Sequence, residues 1–130
     1  MLERTMYKIN GTCVTAGFMV LGPIQNNVYF ITDGAATFVV DPTCDPDALV
    51  EALGGVKLDA IVITHRHYDH IGAAARLAQR TGATVVASEI DAPYIAGELP
   101  DPDGHPGSDP CPVDQRVSDG DVVRLGGMAW

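Results

Sequence analysis

Lysine and arginine are scarce in this chain, eight in 130 residues against seventeen aspartates and glutamates, which leaves a formal net charge of -9. A surface of that sign repels phosphate backbones and anionic headgroups, so nucleic acid and membrane surfaces are disfavoured as partners. No run of 18 apolar residues of the kind that crosses a bilayer is present. The first ten residues intersperse charges and lack a long apolar stretch with a cleavage site, so no secretory signal is read there and a cytoplasmic location is expected.

Cysteine is also sparse. Cys13, Cys44 and Cys111 are odd in number, far apart and in no Cys-x-x-Cys arrangement, which fits a reducing compartment better than a disulfide framework. Cys44 follows a predicted strand in a loop, where it could approach a sheet edge; an inert thiol is the expectation. A chain of 130 residues suffices for one hydrophobic core and is too short for two domains of ordinary size.

Histidine, by contrast, is concentrated. Three of the four histidines fall in the stretch Thr64-His65-Arg66-His67-Tyr68-Asp69-His70-Ile71-Gly72. An apolar strand over residues 59–63 ends there and a helix over about 72–80 begins, so the side chains emerge at the carboxyl edge of a sheet. Open α/β sheets bind ligands at that edge. While the backbone stays extended, residues two apart point the same way, so His65 and His67 can converge on one cation. Asp69 and His70 come where the chain turns into the helix and suit a second cation nearby. Imidazoles with a carboxylate favour zinc, with iron or manganese as alternatives. Solvated histidines in a polar loop would not need this spacing or this context.

The remaining pattern alternates. Residues 12–21, 27–32 and 37–41 read as strands of one antiparallel unit, with Asp33-Gly34 as a hairpin turn. Asp45-Pro46-Asp47 opens a helix that Gly54-Gly55 ends, with Leu49, Val50 and Leu53 as its buried stripe. Ile71, Ala74, Ala75 and Ala78 form the apolar face of the next helix, with Arg76 and Arg80 solvated. A short strand at 84–87 leads to a helix start at 88–91. Strands alternating with helices predict a layered α/β architecture. Residues 97–115 are rich in proline, aspartate and glycine and read as a surface loop, and residues 119–127 read as a strand.

The His-x-His-x-Asp-His pattern after a short apolar strand resembles the central motif of the metallo-β-lactamase superfamily. The resemblance implies that His65 and His67 bind a first metal, that Asp69 and His70 bind a second, and that Asp69 orients the nucleophile. It implies up to two zinc ions in a complete domain and a glyoxalase II-like hydrolase, in which metal-bound hydroxide attacks an ester, thioester or lactam carbonyl of a small-molecule substrate. His67 stands where the redox di-iron branch commonly has glutamate. Asp41, at the end of a strand, resembles a residue that supports the metal loop; capping a turn is the alternative for it. A nuclease or phosphodiesterase of the same superfamily fits the acidic balance poorly.

Gly104-His105-Pro106-Gly107-Ser108 superficially matches a later ligand segment of the family, yet it lacks a preceding apolar strand, so His105 is not expected to bind metal. The family's third histidine, bridging aspartate and last histidine have no convincing match up to Trp130. The resemblance therefore implies a single partial domain over 1–130: the N-terminal half of an αββα sandwich, a mixed sheet with helices on one face. From this follows the expectation of a truncated product or fragment, non-catalytic alone, with weak metal binding. Its open sheet face would need a complementary chain or a homo-oligomer to cover it.

Overall fold

The computed structural model describes residues 5–8, 15–21, 25–33, 36–65, 68–100, 110–125 and 128–129. Seven strands form one sheet in sequence order: β1 Thr5–Lys8, β2 Thr15–Leu21, β3 Asn26–Thr32, β4 Thr37–Val40, β5 Ala60–Ile63, β6 Thr84–Ser88 and β7 Gln115–Val117. The first four pair antiparallel, and β4 through β7 run parallel. Two further short strands, β8 Arg124–Leu125 and β9 Met128–Ala129, pair with each other as a separate antiparallel ribbon.

Parallel neighbours require crossovers, and helices supply them: α1 Pro46–Leu53 between β4 and β5, then α2 Tyr68–Ile71 and α3 Ala74–Thr81 between β5 and β6. Right-handed crossovers advancing in one direction put both connections on the same face of the sheet. Leu49 and Leu53 of α1 and Ala74 and Leu77 of α3 accordingly share a buried cluster with Met19, Val28, Phe30, Val39, Ile61 and Val85. Arg80 of α3 pairs with Asp47 of α1 across the two helices while staying on the solvated face, as expected. A fourth helix, α4 Ala92–Ile95, seats Ile95 in the same core.

Local signals account for α1. The Asp45 side chain accepts the Ala48 N–H at 3.1 Å, and proline follows at a position where its missing N–H costs nothing. Gly54, with φ +59°, ends the helix and returns its N–H to the Glu51 carbonyl at 3.0 Å.

The opposite face of the sheet is apolar too. Cross-strand register places Phe18, Tyr29, Val40, Val62 and Val86 side by side in one row. Val86 is buried, whereas Val20 and Tyr29 on the antiparallel side are 45% and 42% exposed. The mixed sheet with helices on one face is thus as expected, and the α/β class with it.

Several boundaries differ from the sequence reading. Helical backbone begins at Tyr68, inside the histidine motif, and breaks at residues 72–73 before α3 starts. Ala73 causes the break: its N–H is drawn to the Pro42 carbonyl at 2.9 Å. Leu77, fully buried, belongs to the inner face of α3. Asp41, expected as the last residue of a strand over 37–41, leaves β4 by adopting φ +54°. Of the strand expected over 119–127, residues 119–120 form a turn and 124–125 the short β8, while β7 lies earlier, starting at Gln115, the last residue of the expected loop. Of that loop, residues 101–109, including His105, fall outside the described residues. Its far end is pinned: Cys111 is buried and donates its N–H to the Ile95 carbonyl, and Asp114 exchanges two bonds with Val85.

Candidate metal centre

The ends of β4 and β5 lie together because Val40 pairs with Val62 in parallel register. Asp41 follows Val40, and Thr64 and His65 follow Ile63, so the carboxyl edge of the sheet brings them within reach. Asp41 donates its N–H to the Val62 carbonyl at 2.9 Å and then turns with φ +54°. A left-handed backbone is tolerated by aspartate better than by most residues. The turn aims the side chain at the loop after β5.

A carboxylate 5% exposed needs partners to offset its lost hydration. Asp41 has three. Oδ1 accepts the Thr64 N–H at 2.7 Å; Oδ2 accepts the Thr64 hydroxyl at 2.5 Å and faces His70 Nδ1 at 2.9 Å. Thr64 Oγ1 in turn lies 3.0 Å from His65 Nδ1. The Thr43 hydroxyl donates to the Asp41 carbonyl at 3.2 Å, and the Pro42 carbonyl holds Ala73. The loop after β4 therefore grips both the end of β5 and the junction of α2 with α3.

The His65 and His70 rings sit 4.0 Å apart between centroids, inclined by 50°. One ligand atom from each of Asp41, His65 and His70 can be chosen such that all lie within 4.8 Å of one another, a grouping that could hold a metal ion. Asp41 has nevertheless committed both its oxygens to Thr64 and His70. Metal-binding histidines characteristically give their other ring N–H to a carboxylate, so the hydrogen bonds favour Asp41 as the holder of His70 over Asp41 as a direct ligand. The donor chemistry, imidazole nitrogens backed by a carboxylate, fits zinc or a similar divalent cation.

Of the expected site residues, the structure brings together His65, His70 and Asp41. His67 lies outside the described residues. Asp69 occupies the one-turn helix α2, and its side chain lies outside what is described. Cys44 packs against the core, and burial, then the charge of Asp45, pushes its thiol pKa up, away from the thiolate that a ligand or nucleophile needs. Thr64 is the functional candidate that the sequence reading passed over. A hydroxyl residue directly before the first histidine was its only signal.

Fold and site together describe an α/β protein with a candidate metal centre at the carboxyl edge of its parallel strands. The metallo-β-lactamase superfamily model matches residues 21–129, and the chain belongs to that superfamily. A hydroxyacylglutathione hydrolase of Acidiphilium cryptum is 34% identical over 107 residues, 81% of this chain and 37% of the relative. A metal-dependent hydrolase of Thermococcus kodakarensis is 38% identical over 85 residues, 64% of this chain and 38% of the relative. Among solved structures, the B3 metallo-β-lactamase BLEG-1 superposes with a TM-score of 0.73 at 26% identity, over 88% of this chain and 58% of that one. The chain thus spans well under two thirds of the length of these relatives, and the fold corresponds to part of the family's domain.

Proposed function

We propose that the chain carries the first half of the active centre of a metal-dependent hydrolase acting on an ester or thioester carbonyl. The observation that carries this reading is the convergence of His65 and His70, braced by Asp41, at the carboxyl edge of β4 and β5. In this reading His65 and His67 hold one metal, and Asp69 and His70 hold another. Bound divalent metal would supply Lewis acidity and lower the pKa of a water nucleophile toward neutrality. The chain's own contribution is to orient the rings, through Asp41 and Thr64; the family resemblance assigns Asp69 as the carboxylate that would orient the water. The hydroxyacylglutathione hydrolases among the relatives favour a thioester over a lactam or a phosphodiester.

A second reading concerns these 130 residues alone. Among the described residues the centre has two imidazoles and no third, whereas catalytic zinc sites usually have three protein ligands. The apolar row Phe18-Tyr29-Val40 on the helix-free face also calls for a covering layer, from a complementary chain or a second copy. The chain by itself then binds metal weakly and does not turn over. A reducing, cytoplasmic setting suits the free Cys44 and Cys111.

Zinc titration coupled to a thioester assay with S-lactoylglutathione tests both readings. The expected result is fewer than two tightly held ions per chain and no chelator-sensitive turnover. Two tight ions with turnover would overturn the second reading. Metal binding unaffected by His65→Ala and His70→Ala would overturn the first.

A further inference from the structure

We infer that Thr64 is a positioning residue that ties His65 to the carboxylate already holding His70 and fixes His65 as the Nδ1–H tautomer, with the lone pair on Nε2. The inference rests on the metal-centre reading for its purpose, and on proton accounting for its content.

A hydroxyl has one hydrogen to give. The Thr64 hydroxyl lies 2.5 Å from Asp41 Oδ2, and a carboxylate oxygen can only accept. That hydrogen is therefore spent on Asp41. Toward His65 Nδ1, 3.0 Å away, Oγ1 can then only accept, so Nδ1 must carry the hydrogen. The same logic applies to His70. Its Nδ1 faces Asp41 Oδ2 at 2.9 Å and must donate. Both rings are thereby set with Nε2 as the lone-pair nitrogen, and a single carboxylate sets them both.

Thr64 is exposed, and an exposed hydroxyl ordinarily exchanges partners with water. Here the backbone prevents it. The Thr64 N–H is bonded to Asp41 Oδ1 at 2.7 Å, so one residue clasps both oxygens of one carboxylate, and the hydroxyl is held where the peptide holds it. Asp41 in turn is fixed by its left-handed turn and by its N–H bond to Val62. Threonine's branched Cβ further restricts the rotamer that makes the bond. Valine in its place would preserve shape and backbone bond while deleting the relay.

The experiment is a 15N–1H correlation spectrum of the chain labelled at histidine, recorded without metal at a pH where the rings are neutral, for wild type, Thr64→Val and Thr64→Ser. In wild type, His65 and His70 should both show a protonated Nδ1 and a lone-pair Nε2. Thr64→Val should shift His65 toward the Nε2–H tautomer and leave His70 largely unchanged, while Thr64→Ser retains the wild-type pattern. Zinc affinity should fall by about 10-fold in Thr64→Val, within the range for lost supporting bonds, and by less than about 3-fold in Thr64→Ser. A wild-type His65 protonated on Nε2 overturns the proposal even if the valine variant does not fold. So does an unchanged His65 spectrum in a folded Thr64→Val. Because the spectrum needs no metal, failure of the hydrolase reading leaves it intact.

Discussion

His70 Nδ1 lies 2.9 Å from Asp41 Oδ2, across 29 residues of sequence, so the loop after β4 and the one-turn helix after β5 meet at a single buried carboxylate. Asp41→Asn should keep the left-handed turn, which asparagine also tolerates. Its amide, however, sets an NH2 against either Thr64 or His70, a donor facing a donor. Zinc affinity should fall about 10- to 100-fold, as for other residues that brace metal-binding histidines. Asp41→Ala should add a backbone penalty of about 1–2 kcal/mol for alanine at positive φ, visible as a lower denaturation midpoint than that of the asparagine variant. Isothermal titration and urea denaturation separate the two effects.

Leu77 of α3 has no exposed surface, and it shares the core with Leu49 and Ile61. Leu77→Ala should cost about 2–5 kcal/mol, the range for leucine truncation in close-packed interiors. Ala78→Ser, half-buried on the same helix, should cost far less. Urea melts followed by circular dichroism would rank the two variants, and equal midpoints would contradict the burial pattern.

Burial, then the charge of Asp114, pushes the Cys111 thiol up to about 11 from an ordinary value near 9. The folded state therefore holds its proton where the unfolded chain releases it. The associated stability is fully present below about pH 9 and is lost as pH rises toward about 11. Unfolding midpoints measured from pH 8 to pH 11 should decline over that window, and Cys111→Ala should flatten the decline. Alkylation at pH 8 should spare Cys111 until the chain unfolds.

The sheet face opposite the helices offers a direct test of the covering-layer reading. Tyr29→Lys with Val20→Lys places two charges on the exposed part of that apolar face. Light scattering should show concentration-dependent self-association of the wild-type chain that these substitutions diminish. A wild-type chain that stays monomeric at high concentration and binds no hydrophobic dye would show that the face needs no partner.

Much of this architecture was legible because its signals are local. Asp45-Pro46 and Gly54 mark α1 by cap chemistry, and the β-branched runs at β3, β5 and β6 stand between turn residues. The histidine spacing marked the site for the same reason. What escaped depends on distant partners. Gln115 and Arg116 of β7 are polar and exposed, so an edge strand that exists by pairing with Val86 and Ala87 carries no apolar pattern. The break between α2 and α3 comes from a bond to Pro42, about thirty residues away in sequence. Thr64 stood in the sequence only as the first residue of the histidine stretch, because the carboxylate it bonds, Asp41, lies 23 residues away. Sequence left the role of Asp41 open between capping a turn and supporting the metal loop; its carboxylate bonds Thr64 and His70, the contacts on which the proposed supporting role rests.

The most direct measurement of the central claim is zinc affinity by competition with a chromophoric chelator, for wild type, His65→Ala and His70→Ala. Each substitution should weaken binding at least about 10-fold while leaving the circular dichroism spectrum unchanged. Wild-type affinity in both folded variants would contradict a metal centre at the carboxyl edge of β4 and β5.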